Sequence, residues 1–209
     1  MNYKKLLIAL GLVFIGSFVV YHSIYFEKLD AKRQNELVKN FKPNELVDYF
    51  WKNKLDDILK NALEIRVFDS LLQANPEQLI AKYAKTVGIS SNYCFLIKGQ
   101  CKVENVTLYR VIIDYKGYVT YNIPIKFIFN NTARDASGFF KVDNFANSIE
   151  FNAISSELNS RILREVINKK ISAIKTGSLI KFSGAVEIDK EAPAKELDIV
   201  PLTFEVINK

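Results

Sequence analysis

Histidine occurs once in this 209-residue chain, as His22, and cysteine twice, as Cys94 and Cys101. With a single imidazole, set in a long apolar segment, the chain has no Ser/His or Cys/His couple to activate a nucleophile. It also has no Cys and His set to hold a zinc ion. Neither a metal site nor a cofactor is expected, and no enzyme activity is assigned. The two cysteines stand seven positions apart in "YCFLIKGQCKV". Along one extended strand that spacing keeps the sulfurs too far apart for a disulfide unless the strand folds back.

A concentrated basic stripe is missing too. The formal charge is +6, from 29 basic and 23 acidic residues, but Lys4 and Lys5 belong to the leading segment and the rest are dispersed. Nucleic-acid binding calls for a clustered basic face, and a lipid-surface site for a dense juxtamembrane cluster. "EKLDAKR" mixes signs and supplies neither, so no nucleic-acid partner is expected. Tyr109, Arg110, Tyr115, Lys116, Tyr118 and Tyr121 do interleave aromatic and basic residues as single-strand binders do. Tyrosines on strands also serve cross-strand packing.

What is present begins with "LLIALGLVFIGSFVVYHSIYF", Leu6 to Phe26, which carries no charge and follows two lysines. A hydrocarbon core of about 30 Å needs roughly 20 helical residues, and the lysines orient the amino terminus toward the cytoplasm. No small-x-small cleavage site or lipidation cysteine closes the run. Residues 1–27 therefore read as an uncleaved signal anchor, a single pass in the inner membrane, with the remainder in the periplasm or its equivalent.

The remainder divides into a helical subdomain over 28–90 and a β domain over 91–209. Leu46, Val47, Phe50, Trp51, Leu55, Ile58, Leu59 and Leu63 share one helix face that starts at Pro43 and Asn44. A shorter helix covers "VFDSLLQA". A third opens on Asn75 and Pro76 with Gln78 at the capping-box position, and Gly88 ends it. From Tyr93 the period becomes two: a long strand bent at Gly99, a second through Val111 and Ile113, and a third placing Val119, Tyr121, Ile123, Ile125, Phe127 and Phe129 on one face. Pro124 marks that third strand as an edge or bulge. A helix with Ile154, Leu158, Ile162, Val166, Ile171 and Ile174 on its face follows, then two more strands. The fold class is α+β: anchor, helical lead-in, and an OB-like five-stranded barrel with a helix between strands 3 and 4. An α+β sandwich of the same elements is the alternative.

Between the third strand and that helix lies a polar insertion, 130–152, rich in amides and carboxylates. Loops of this length without secondary structure are uncommon in compact domains and usually functional or disordered. Phe139, Phe140, Val142, Phe145, Ile149 and Phe151 give this one enough apolar surface to be pinned. Arg134, Asp135, Asp143, Asn147 and Asn152 are the candidate ligand residues, the inventory that hydrogen-bonds a small polar molecule such as a sugar. Their other reading is structural: caps, Asx-turns and an Arg134–Asp135 ion pair. Asp135 and Asp143 as the acid and base of a hydrolase is a further alternative.

The segments "FKPNELVDYFW", "GISSNYCFLIKGQCKV", "FIFNNTARDASG", "KVDNF", "FNAISSELN" and "GSLIKFSGAVE" resemble a family of uncharacterised predicted periplasmic lipoproteins of bacteria, often encoded beside ribose-type sugar ABC transporters. The densest matches are "RDASG" and "FNAISSELN". The resemblance implies an extracytoplasmic, membrane-attached accessory protein linked to sugar uptake, with a sugar ABC transporter as partner. An envelope structural or assembly role is the alternative. Two departures stand out. No lipidation cysteine is present, so an anchor helix would replace the lipid, and Asn130 stands where glycine is expected. Asparagine tolerates left-handed backbone.

Overall fold

A computed structural model describes residues 41–88, 90–192 and 195–207, together with Tyr3, Ser17, Phe18 and Glu36. The expected membrane anchor, residues 1–27, lies outside the described residues but for three of them. No helix among the described residues is long and apolar enough to cross a membrane. The chain divides into two compact units, Met1–Lys42 and Pro43–Lys209. The second holds both the helices and the sheet.

That unit opens with α1 (Pro43–Asn53) and α2 (Leu55–Lys60), where the periodicity predicts one continuous helix. The break falls at Lys54, yet Leu46, Val47, Phe50, Leu55 and Leu59 all remain buried, so the apolar face survives the interruption. The last predicted turn becomes a two-residue strand, β1 (Leu63–Glu64), parallel to Ile97 and Lys98. Trp51 is half-buried rather than core, with the Arg161 guanidinium 5.7 Å from its ring centre. Next come α3 (Ile65–Ala74) and α4 (Pro76–Tyr83). Asn75 caps α4 as the sequence predicts, its side chain accepting from the Gln78 N–H at 3.0 Å. The helix stops well before Gly88, because Lys85 turns away to exchange two backbone hydrogen bonds with Cys94, each 2.8 Å.

The sheet contains β2 (Asn92–Val106), β3 (Arg110–Asp114), β4 (Thr120–Pro124), β5 (Leu179–Asp189), β6 (Glu196–Asp198) and β7 (Val200–Ile207). Its order is β6-β4-β3-β2-β5-β7, with β1 beside β2. The count of seven corrects the expected five. One addition is β1, and the other is β6, three residues just ahead of the last expected strand and joined to it through Ile199. β6 runs parallel to β4, and the expected strand, β7, antiparallel to β5. Since β6 and β7 stand at opposite ends of the order yet adjoin in the chain, the sheet curls on itself. Inside lie Phe95, Ile97, Val111, Ile113, Tyr121, Ile123, Phe182, Leu202 and Phe204.

Gly99 does not break β2, since it pairs in register with Phe182; the irregularity falls between Val103 and Asn105. A Cβ at Gly99 would stand 2.7 Å from Ile65 Cγ2. Glycine is there to let the first residue of α3 touch the sheet. The predicted third strand is also shortened. It ends at Pro124, which has no N–H to continue a ladder. Beyond it the alternation inverts: Ile128 is buried, and Phe127 and Phe129 face water.

The polar insertion is folded, not a bare loop. It holds α5 (Thr132–Ser137), a 3-10 turn (Val142–Asn144) and the first turn of α6 (Ser148–Arg161), which a π-helical turn (Ile162–Ile167) prolongs. Gly138, at φ 63°, ends α5 in the left-handed conformation that glycine adopts without strain. Phe139 and Phe140 then pack on Phe50 of α1, ring centres 5.3 and 5.0 Å away. Asn130 needs no left-handed backbone, because among the described residues only glycines have positive φ.

Candidate functional site

Of the five candidate ligand residues, the structure brings together three. Arg134, only 3% exposed, donates from Nε to Asp135 Oδ1 at 2.6 Å. Its Nη1 donates to the Phe151 carbonyl and to Asn152 Oδ1, both at 3.1 Å. Its guanidinium carbon lies 3.5 Å from the centre of the Phe151 ring, a cation–π contact in a dry setting. These contacts tie α5 to the first turns of α6. They also consume most of the directional bonding that a bound anion would need from Arg134.

Asn147 and Asp143 are placed elsewhere in role. Asn147 is the N-cap of α6, accepting from the Glu150 N–H at 3.0 Å, while the Glu150 carboxylate reaches back to the Ala146 N–H at 3.1 Å. This differs from the reciprocal capping box in that the carboxylate meets the N–H one residue before the cap. Asp143 sits exposed in the 3-10 turn. Neither has a side-chain hydrogen bond to the Arg134 cluster among the described residues; the Asn147 carbonyl accepts from the Phe151 N–H at 3.2 Å as part of the helix.

Arg134 and Asp135 border a polar cleft of about 350 Å³ that Asn92, Cys94, Asn131 and Glu187 also line. Here too the polar groups answer one another. Glu187 accepts from Asn92 Nδ2 at 2.9 Å and from Thr132 Oγ1 at 3.1 Å, and Cys94 Sγ lies 3.7 Å from it. Burial, with Glu187 beside it, pushes the Cys94 thiol well above its ordinary pKa. Burial raises Cys101 to about 11. Both cysteines are free and buried, so neither is a reactive thiolate nor placed to carry a lipid.

A second groove, about 480 Å³, differs in kind. One wall is Phe127, Ile128, Phe129 and Asn131; the other is a stripe of α6 and the turn after it, Asn152, Ser155, Ser156, Asn159, Ser160 and Leu163. Asn159 Nδ2 donates to the Asn130 carbonyl at 2.8 Å and holds the walls together. Ser155 is 5% exposed, and its hydroxyl has no hydrogen-bond partner among the described residues. A helical serine ordinarily bonds the carbonyl four residues back, as Ser156 does with Asn152 at 3.4 Å. For Ser155 that carbonyl belongs to Phe151, which already receives Arg134.

On the aromatic wall, Phe127 and Phe129 have ring planes 12° apart and centres 5.7 Å apart. Tyr109 extends the row at 6.4 Å from Phe127. Sequence reading by apolar periodicity passes over this groove. The signal that finds it is the same 3.6-residue period in the polar residues of "FNAISSELNSRIL", at positions 152, 155, 156, 159 and 160.

No curated protein matches the chain. Among solved structures it is similar to an OB-fold protein from Thermotoga maritima, at 25% identity and a TM-score of 0.71, over 80% of this chain and 99% of that one. The mixed α+β architecture with its curled sheet is thus shared with an OB-fold protein. A family model described as predicted periplasmic lipoprotein matches residues 14–205. With nearly the whole length matched, including the clamp and both walls of the groove, the chain belongs to the predicted periplasmic lipoprotein family DUF2291.

Proposed function

We propose that this protein is a membrane-attached, extracytoplasmic binding protein that takes a small polar ligand into the groove between residues 127–131 and α6. The observation that carries this reading is Ser155. A buried hydroxyl without a partner costs about 1–3 kcal/mol; Ser155 lines the groove with its oxygen covered, and a ligand hydroxyl or carbonyl that it meets on a small side-chain rotation would remove that cost. Asn152 joins the groove to the Arg134 clamp. It is the one residue of the sequence-predicted set that serves both.

Attachment through an amino-terminal anchor fits a lipoprotein-family chain whose two cysteines are both buried in the fold. Service to a sugar ABC transporter belongs to the same proposal and is supported by the family resemblance alone. An envelope scaffold without ligand is the second reading, favoured by the internally satisfied bonding of Arg134 and Glu187.

A thermal-shift screen of the full-length protein against a broad metabolite panel separates the two readings. Ligand at a hundred times its Kd stabilises by about 2.7 kcal/mol, which at this length moves the midpoint by roughly 5–10 °C. Ser155→Ala should reduce that shift and Asn147→Ala should leave it intact. A panel that shifts nothing leaves the scaffold reading in possession.

A further inference from the structure

The groove lining limits the chemistry of its occupant. Asn131, Asn152, Ser155, Ser156, Asn159 and Ser160 present amides and hydroxyls, donors and acceptors without net charge. No acidic, basic or imidazole side chain lines it among the described residues. A phosphate, carboxylate or ammonium group entering it would give up hydration without meeting an opposite charge. A neutral, hydroxyl-rich molecule exchanges its bonds to water for bonds of the same kind.

The stripe of small polar residues would be no site by itself. Two independent features add to it: the unpartnered Ser155 hydroxyl and the aromatic row. Tyr109, Phe127 and Phe129 are 56%, 57% and 89% exposed and stack in a row, so aromatic surface stands open to solvent beside the amides. Open aromatic faces attract the weakly positive C–H groups of an apolar surface by dispersion and by the ring quadrupole. A pyranose combines such a C–H face with a rim of hydroxyls. The row reaches beyond the groove, since Tyr109 is not part of its lining, and three rings are more platform than one sugar unit covers.

We propose that the site binds a neutral oligosaccharide, one unit held by the amides and hydroxyls of α6 and the next stacked along Phe127 and Phe129. This rests on the groove being the ligand site, as proposed above. Single-stranded nucleic acid also stacks on aromatic rows, but it needs a cationic track for its phosphates, and this groove has none.

The test is isothermal titration of the full-length protein, in a detergent without a sugar headgroup, with cello-, malto- and chito-oligosaccharides from mono- to tetrasaccharide. Affinity for at least one series should rise about tenfold from one unit to three and stay the same at low and high salt. Phe129→Ala should flatten the dependence on length while the single sugar still binds, and Ser155→Ala should weaken every length alike. A monosaccharide bound as tightly as its trisaccharide, or a length dependence that survives Phe129→Ala, overturns the stacked chain and leaves the groove reading standing. Binding of a charged metabolite or of oligothymidine, with no saccharide bound, overturns the carbohydrate class alone. Silence from every saccharide overturns this proposal, and silence from the metabolite panel as well overturns the proposed function with it.

Discussion

The clamp around Arg134 and the groove beside it share Asn152 and both set polar side chains against phenyl rings, but the clamp is built on charged groups and the groove on neutral ones. In the clamp each prominent polar group is answered from within the fold: Arg134 by Asp135, Phe151 and Asn152, Glu187 by Asn92 and Thr132. In the groove a buried hydroxyl goes without a partner and two phenyl rings face water. Polar density alone therefore does not locate a binding site. The group that the fold leaves unsatisfied is the better guide, because leaving it so costs stability that only a bound partner returns.

The largest expected effect tests the clamp. Arg134→Ala removes one member of a nearly buried ion pair and strands Asp135, which should cost about 3–5 kcal/mol. At this chain length the thermal midpoint should fall by roughly 10 °C. A fall of less than about 2 °C would show that α5 is held by Phe139 and Phe140 rather than by the arginine. Arg134→Lys keeps the charge but not the fork that reaches Phe151 and Asn152 together, and should recover only part of the loss.

A smaller effect separates capping from recognition. Asn147→Ala should cost about 1 kcal/mol, read as a lower urea midpoint, with the ligand-induced shift unchanged. A lost ligand shift at normal stability would return Asn147 to the site. Smaller still are Asp143→Ala and Phe129→Ala. Both side chains are exposed, so unfolding free energies should stay within about 0.5 kcal/mol of the parent. A larger loss at Phe129 would mean that the aromatic row supports the fold rather than waits for a ligand.

How much of this was legible in the sequence depended on whether a signal was local. Asn75, Pro76 and Gln78 announced a helix start because capping involves only neighbouring residues. The inward face of β3, Val111 and Ile113, was readable because burial on one side of a strand imposes a period of two. Long-range contacts were not readable in this way. The touch of Ile65 on the sheet makes Gly99 a close-approach glycine, and nothing near position 99 reports that. Past Pro124 the alternation was present but its direction was not, since the chain leaves the ladder and turns Phe127 and Phe129 outward. The apolar residues of the insertion announce that it is pinned, and Phe139 and Phe140 do pack on Phe50. Whether the "RDASG" residues hold a ligand or each other was decided by distances that a sequence does not contain.

Recognition in the groove requires the hydroxyl of Ser155 to be buried and unanswered, and the unfolding free energy of Ser155→Ala without ligand tests this most directly. Removing a hydroxyl that bonds nothing relieves a desolvation cost of about 1–3 kcal/mol and installs the better helix former, worth a few tenths more. The variant should therefore be about 1–3 kcal/mol more stable than the parent. A loss of more than about 1 kcal/mol would show that the hydroxyl has a partner within the fold, and the groove would then have no claim over the clamp as the place where a ligand is recognised.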